Sequence, residues 1–196
     1  WIGNVRVEEI EVTEEDPYNQ DAPKEPLGNG NHIYNGTFDL GSLDRMTYWN
    51  FATTDGANAV ASVDADQREL AVVITDGGTT SDQVTVTQKG IHLLPTMDYD
   101  ITFDASSAEA RDIDVQLVSK DGSTVYAEET IGLTQAEDTY SFSFTMNDAT
   151  DVEGQLIFLL GGSNADVTID NVEMVRTSEL PDREYVEVGE NLLTDG

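Results

Sequence analysis

Few side chains in this sequence can do covalent chemistry, and many can bind. There is no Cys, so there is no thiolate nucleophile, disulfide framework or zinc-thiolate site. The two histidines, His32 and His92, stand in no nucleophile or metal motif and read as structural or surface residues. Asp and Glu number 39. Pairs at i, i+2 recur: Asp64 with Asp66, Asp98 with Asp100, Asp112 with Asp114. On a strand each pair shares a face, and solvated edge charge is the simplest reading of them. Glycoside hydrolysis needs two carboxylates at a set separation, and no spacing singles such a pair out. A catalytic role is therefore not expected. Neutral hydrogen-bonding groups on strands are scarcer: Gln83, Gln88, Gln116 and Gln155, joined by Arg68. Arg68 is notable because residues 35–175 contain only five Lys or Arg, although a surface ion pair is its alternative role.

The elements that must position these groups are strands. Alternation with period two runs through 68–75, 83–88, 99–105, 112–118 and 140–146, and 155–160 is apolar on both faces. Residues 167–175 close the series. Turn signals separate the runs at Asp76-Gly77-Gly78, Asp121-Gly122 and Gly161-Gly162-Ser163-Asn164. Asp121-Gly122 between alternating runs predicts a two-residue type I′ hairpin. That register makes Leu117 face Tyr126, which places Tyr126 on the core side and Gln116 on the opposite face. No segment carries a helical stripe. Roughly eight to ten short strands predict an all-β fold, a β-sandwich jelly roll of antiparallel strands.

The chain has 196 residues and a net charge of −30. Such acidity repels phosphate, which argues against a nucleic-acid partner and against an anionic membrane surface. No apolar run approaches the ~18 residues of a membrane span. With apolar residues at 38% and charged residues at 24%, the chain reads as folded with a carboxylated surface rather than as disordered.

Self-comparison divides the chain. Ile2-Gly3-Asn4-Val5-Arg6-Val7 matches Ile169-Asp170-Asn171-Val172-Glu173-Met174 at an offset of 167. Asn31-His32-Ile33-Tyr34-Asn35-Gly36 matches Asn191-Leu192-Leu193-Thr194-Asp195-Gly196 at an offset of 160. Residues 1–12 then read as the last strand of a preceding repeat and 190–196 as the start of a following one. Residues 13–30 and 177–189 read as acidic linkers. One complete module occupies 31–176, and its neighbours in the same chain are its expected partners.

Four stretches of this module resemble a known family. They are Asn35-Gly36-Thr37-Phe38-Asp39 with Tyr48-Trp49 downstream, Val84 to Leu93 followed by Tyr99 to Ala105, Tyr140 to Met146, and Leu160-Gly161-Gly162 with Ile169-Asp170-Asn171-Val172. In this order they are similar to the carbohydrate-binding modules of the family 4, 9, 16 and 22 group, which are β-jelly rolls. The block from Arg68 to Thr79 resembles copies attached to β-1,3-glucan-degrading enzymes. The resemblance implies a non-catalytic module that binds an extracellular polysaccharide or its oligosaccharides. A β-glucan is expected, β-1,3 first and β-1,4-glucan or mannan next, in a secreted or surface-bound protein. The alternative is a structural spacer of the same fold.

The resemblance also implies a structural Ca²⁺ between the opening segment and the closing strand. Asp39 and Asp170 match its acidic positions, and the carbonyls of Gly36 and Thr37 are candidates to complete an oxygen shell. Gly3 stands where the preceding repeat would need the counterpart of Asp170. The family's sugar site is a groove on the concave sheet, where ring C–H faces stack on aromatics and hydroxyls take hydrogen bonds. The candidates here are Trp49, Arg68, Gln83, Gln88, Gln116, Tyr126 and Gln155, with Tyr48 as a further aromatic. Core packing is the alternative for Trp49 and the favoured one for Tyr126. The loop 161–166 lacks an aromatic.

Overall fold

A computed structural model describes residues 21–40 and 46–179. The expected repeat remnants at 1–12 and 190–196 lie outside the described residues, as do residues 13–20 and 180–189 of the two linkers.

Ten strands form two antiparallel five-stranded sheets: β1 Asn50–Thr53, β2 Asn58–Val63, β3 Leu70–Asp76, β4 Val84–Leu93, β5 Asp98–Ser107, β6 Arg111–Val118, β7 Val125–Leu133, β8 Asp138–Thr145, β9 Asp151–Leu159 and β10 Val167–Arg176. The front sheet has the order β1-β4-β9-β6-β7 and the back sheet β2-β3-β10-β5-β8. A single 3₁₀ turn at Ser81–Gln83 is the one helical element among the described residues. This is the β-sandwich jelly roll that the alternation predicts.

The alternation decides what each sheet buries. Tyr99, Ile101, Phe103 and Ala105 of β5 point inward and are buried. So are Ile113, Val115 and Leu117 of β6, and Leu156 and Phe158 of β9. These side chains meet between the sheets as one core, with Phe103 edge-on to Phe158 at 5.1 Å. Tyr140, Phe142 and Phe144 of the edge strand β8 pack against it and stay half-buried. The segment 155–160 is apolar on both faces because the outward Leu159 is also shielded, at 7% exposure.

The β6–β7 hairpin departs from the expected turn. Ser119 N–H donates to Thr124 O at 2.9 Å, and Gly122 N–H donates to Ser119 O at 2.9 Å. The loop is therefore four residues long, with positive φ at Gly122 and none at Asp121. Val118 pairs with Val125 as predicted, but a register shift then sets Leu117 opposite Ala127. Tyr126 is the displaced residue.

Residues 21–30 do not run free as a linker. Lys24 forms a parallel bridge with Ile91, and its N–H donates to Gly90 O at 2.8 Å. Gly90 is required there: φ is +74°, and a Cβ would lie 2.1 Å from Ala22 O. This strap continues the edge of β4 beyond the end of β1. The opening residues are held at the closing strand, where Asn31 bridges Val175 and His32 N–H donates to Met174 O.

Candidate functional site

Register alone lays out the outward face of the front sheet as three transverse rows. The first is Asn50, Thr87, Ile157, Gln116 and Glu128. The second is Ala52, Thr85, Leu159, Asp114 and Thr130. The third is Lys89, Gln155, Val118 and Val125. The middle of this face is recessed. Leu159, Gln155 and Thr87 point outward yet are buried, whereas Val60 and Val73 on the outer face of the back sheet are 63% and 52% exposed.

Donors and acceptors on this face are prearranged in pairs. Gln116 Nε2 donates to Glu128 Oε1 at 2.8 Å, and Thr130 Oγ1 donates to Asp114 Oδ1 at 2.8 Å. Gln155 Nε2 donates to the carbonyls of Ser119, at 3.0 Å, and Lys120. Ile157 and Leu159 of β9 provide an apolar strip beside the Gln116–Glu128 and Asp114–Thr130 pairs. No Trp, Tyr or Phe occupies the three rows.

Of the seven expected sugar contacts, the structure brings Gln116 and Gln155 together on this face. Tyr126 stands at its rim. Its ring is half-buried against the core and its hydroxyl donates to Asp151 Oδ2 at 2.8 Å. Burial, then that carboxylate, push its pKa up to about 12.

The other four lie elsewhere. Trp49 is buried in the core, 5.4 Å from the Phe38 ring, and its Nε1 donates to Asn35 O at 3.0 Å. Gln88 points inward with Val84 and Val86 and ties down the opening segment, accepting from Tyr34 N at 2.7 Å and donating to Tyr34 O at 2.8 Å. Gln83 precedes β4. Its Oε1 accepts from Thr80 N at 3.0 Å and its Nε2 donates to Asp55 O at 3.3 Å. Arg68 sits in the β2–β3 turn with φ of +61°, away from the front sheet. Tyr48 lies at the strap side of this sheet, 5.1 Å from the Tyr34 ring, and Tyr34 OH donates to Glu25 O. Sequence reading missed Lys89, Asp114, Glu128 and Thr130. Strand parity marks Asp114 and Thr130 as outward, because they alternate with Val115 and Ile131.

The opening segment meets the closing strand at the expected cation positions. A Cβ on Gly36 would lie 1.9 Å from Val172 O, so only glycine permits this approach. Val172 N–H donates to Gly36 O at 3.0 Å. Positive φ at Asn35, Phe38 and Asn171 curls both segments here. Asp170 has a buried Oδ1 with no hydrogen-bond partner. Burial, then Asp104, Asp39 and Glu137, raise its pKa. Arg68 is the local counter-charge: Nη2 donates to Phe38 O at 2.9 Å and Nε lies 3.7 Å from Asp39 Oδ1. No group of three or more His, Asp or Glu able to hold a metal occurs among the described residues. Two carboxylates, one with an unpartnered oxygen, beside curled backbone carbonyls are nonetheless a donor set that fits Ca²⁺, which accepts carbonyls and water.

Residues 30–167 match the model of the family described as Carbohydrate binding domain (CBM_4_9), and the chain belongs to that family. Among solved structures, a CBM4 module is 26% identical, with a TM-score of 0.66 over 74% of this chain and 99% of its own. The N-terminal cellulose-binding domain of Cellulomonas fimi β-1,4-glucanase C is 21% identical, with a TM-score of 0.57 over 80% and 100%. The second such domain of that enzyme is 18% identical, with a TM-score of 0.55 over 68% and 88%. The two at lower identity share the fold. No curated protein matches the chain. No helix among the described residues is long and apolar enough to cross a membrane.

Proposed function

We propose that this chain is a non-catalytic glycan-binding module whose ligand lies across the front sheet. The observation that carries this reading is the recessed face itself. Its Gln116–Glu128 and Asp114–Thr130 pairs offer both donors and acceptors to sugar hydroxyls, and its Ile157–Leu159 strip faces ring C–H groups. The ligand class is an extracellular β-glucan, β-1,3 first, then β-1,4-glucan or mannan. The module serves a secreted or surface-bound protein and raises the local concentration of an attached glycan-degrading domain, through avidity where neighbouring repeats also bind.

Calorimetric titration with β-1,3-glucan, β-1,4-glucan and mannan oligosaccharides tests this. One series saturates the module, and Gln116→Ala weakens that series about tenfold, the equivalent of ~1.4 kcal/mol. A folded protein that gives no heat with any series favours the second reading, a spacer without sugar affinity. The absence of aromatics from the three rows supports that second reading.

A structural Ca²⁺ belongs to the same proposal. Asp39, Asp170 and carbonyls of the 36–37 turn would hold it and clamp the opening segment to β10. A cation bound only by the folded state raises stability. Millimolar calcium therefore raises the thermal midpoint, EGTA reverses the rise, and Asp170→Ala abolishes the difference. An unchanged midpoint in the wild-type chain would count against the site.

A further inference from the structure

The strap and the third row enclose a cavity of about 310 Å³, lined by Asp21, Ala22, Pro23, Lys89, Lys120, Glu153 and Gln155. We infer that this cavity is a subsite for one uncharged sugar residue, completed by residues of the strap. The inference rests on the glycan-binding reading and extends it to a place and a ligand class.

The wall formed by residues 21–23 lies just before the matched residues 30–167. The wall is specifically seated. Asp21 accepts from Lys89 Nζ at 2.9 Å and from Asn50 Nδ2 at 3.1 Å, and Lys24 Nζ donates to Ala22 O at 3.1 Å and Lys89 O at 2.5 Å. Gly90 leaves room for Ala22, as its missing Cβ requires. The floor is Gln155. The far wall is Lys120, whose Nζ lies 2.6 Å from Glu153 Oε1.

Charge identifies the ligand class. The sequence has three lysines in all, Lys24, Lys89 and Lys120, and every one of them is at this place. In a chain of net charge −30, the lining balances two ammonium groups against two carboxylates. Each lysine–carboxylate pair presents a strong donor beside a strong acceptor. A sugar hydroxyl both donates and accepts, so it can bridge such a pair by charge-assisted bonds. A uronate or sulfated residue would instead meet Asp21, Glu153 and the field of the whole chain. The cavity opens onto the third row and so continues the path across the front sheet.

NMR titration of the full 196-residue chain with laminarihexaose, cellohexaose and mannohexaose tests the inference. The expected result is shifts at the Gly90 amide and the Gln155 side-chain amide together with those at Gln116 and Thr130. The surface variants Lys120→Ala and Asp21→Asn, checked for an unchanged fold, each weaken binding at least fivefold. Shifts confined to Gln116 and Thr130, with both variants at wild-type affinity, overturn the subsite and leave the glycan-binding reading standing. No shift with any of the three overturns both. Tighter binding of a glucuronate-bearing oligosaccharide than of its neutral counterpart overturns the uncharged assignment.

Discussion

His32 has no place for a second proton. Its ring is 5% exposed, lies edge-on to Tyr99 at 5.4 Å, and leaves Nδ1 without a partner. Glu25 lies near enough to favour the charged form. Burial dominates, with Arg176 and His92 acting in the same direction, and lowers the pKa from 6.5 to about 4. The unfolded chain therefore binds the proton more readily than the folded one. Stability is complete above pH 6.5, declines as the pH falls below it, and has lost this contribution near pH 4. The loss amounts to about 3 kcal/mol at most. Chemical denaturation at pH 7.0 and 5.0 should show the decline, and His32→Phe, which keeps a ring against Tyr99, should flatten it. Equal slopes in both proteins would assign the acid sensitivity to other groups.

The strap is an element that composition disguised. Residues 21–30 are rich in Pro, Gly and acid, as linkers are, and nothing local signals that Lys24 bridges Ile91. The readable half of that contact is Gly90, a glycine interrupting a strand, which often marks close approach by another backbone. Gly90→Ala should strain the positive φ and push Ala22 away, at a cost of about 1–3 kcal/mol. Hydrogen exchange at the Lys24 amide should accelerate in that variant while β5 and β6 amides stay protected. Unchanged exchange at Lys24 would mean that the strap tolerates the methyl group. Elsewhere the sequence was legible wherever alternation was clean. The stretches 99–105 and 112–118 became β5 and β6, and both faces agree with parity. Parity also held information that the candidate list did not use. Gln88 alternates in phase with Val84 and Val86, so it points inward, whereas Gln155 is out of phase with Leu156 and Phe158 and points outward. What alternation cannot convey is an interruption. The four-residue loop keeps the Val118–Val125 pair that the Asp-Gly signal implied, but the bulge at Tyr126 then shifts every pair beyond it by one residue. β1 and β2 are short and carry little pattern, and the sequence did not single them out.

A charge of −30 acts on the molecule as a whole. Carboxylates crowd the back sheet, where Asp100 and Asp104 of β5 face outward beside Asp170 and Glu173 of β10. Their mutual repulsion opposes compaction and is screened by salt, with a Debye length of about 10 Å at 0.1 M and 3 Å at 1 M. The thermal midpoint should therefore rise by several degrees between 0.05 and 1 M NaCl, roughly a kcal/mol or more for a domain of this size. A midpoint that falls with salt would show that the attractive pairs, such as Lys89–Asp21 and Lys120–Glu153, outweigh the repulsion. The gathering of all three lysines around the cavity has a practical side too. Amine-directed coupling, whether to a sensor chip, a bead or a dye, has no other side-chain target on this chain. A protein attached in that way would be held by the mouth of its own cavity. An immobilised sample would then look inert for reasons of chemistry at the bench rather than of affinity. Attachment through a terminal tag or a cysteine introduced on the back sheet keeps the front sheet open.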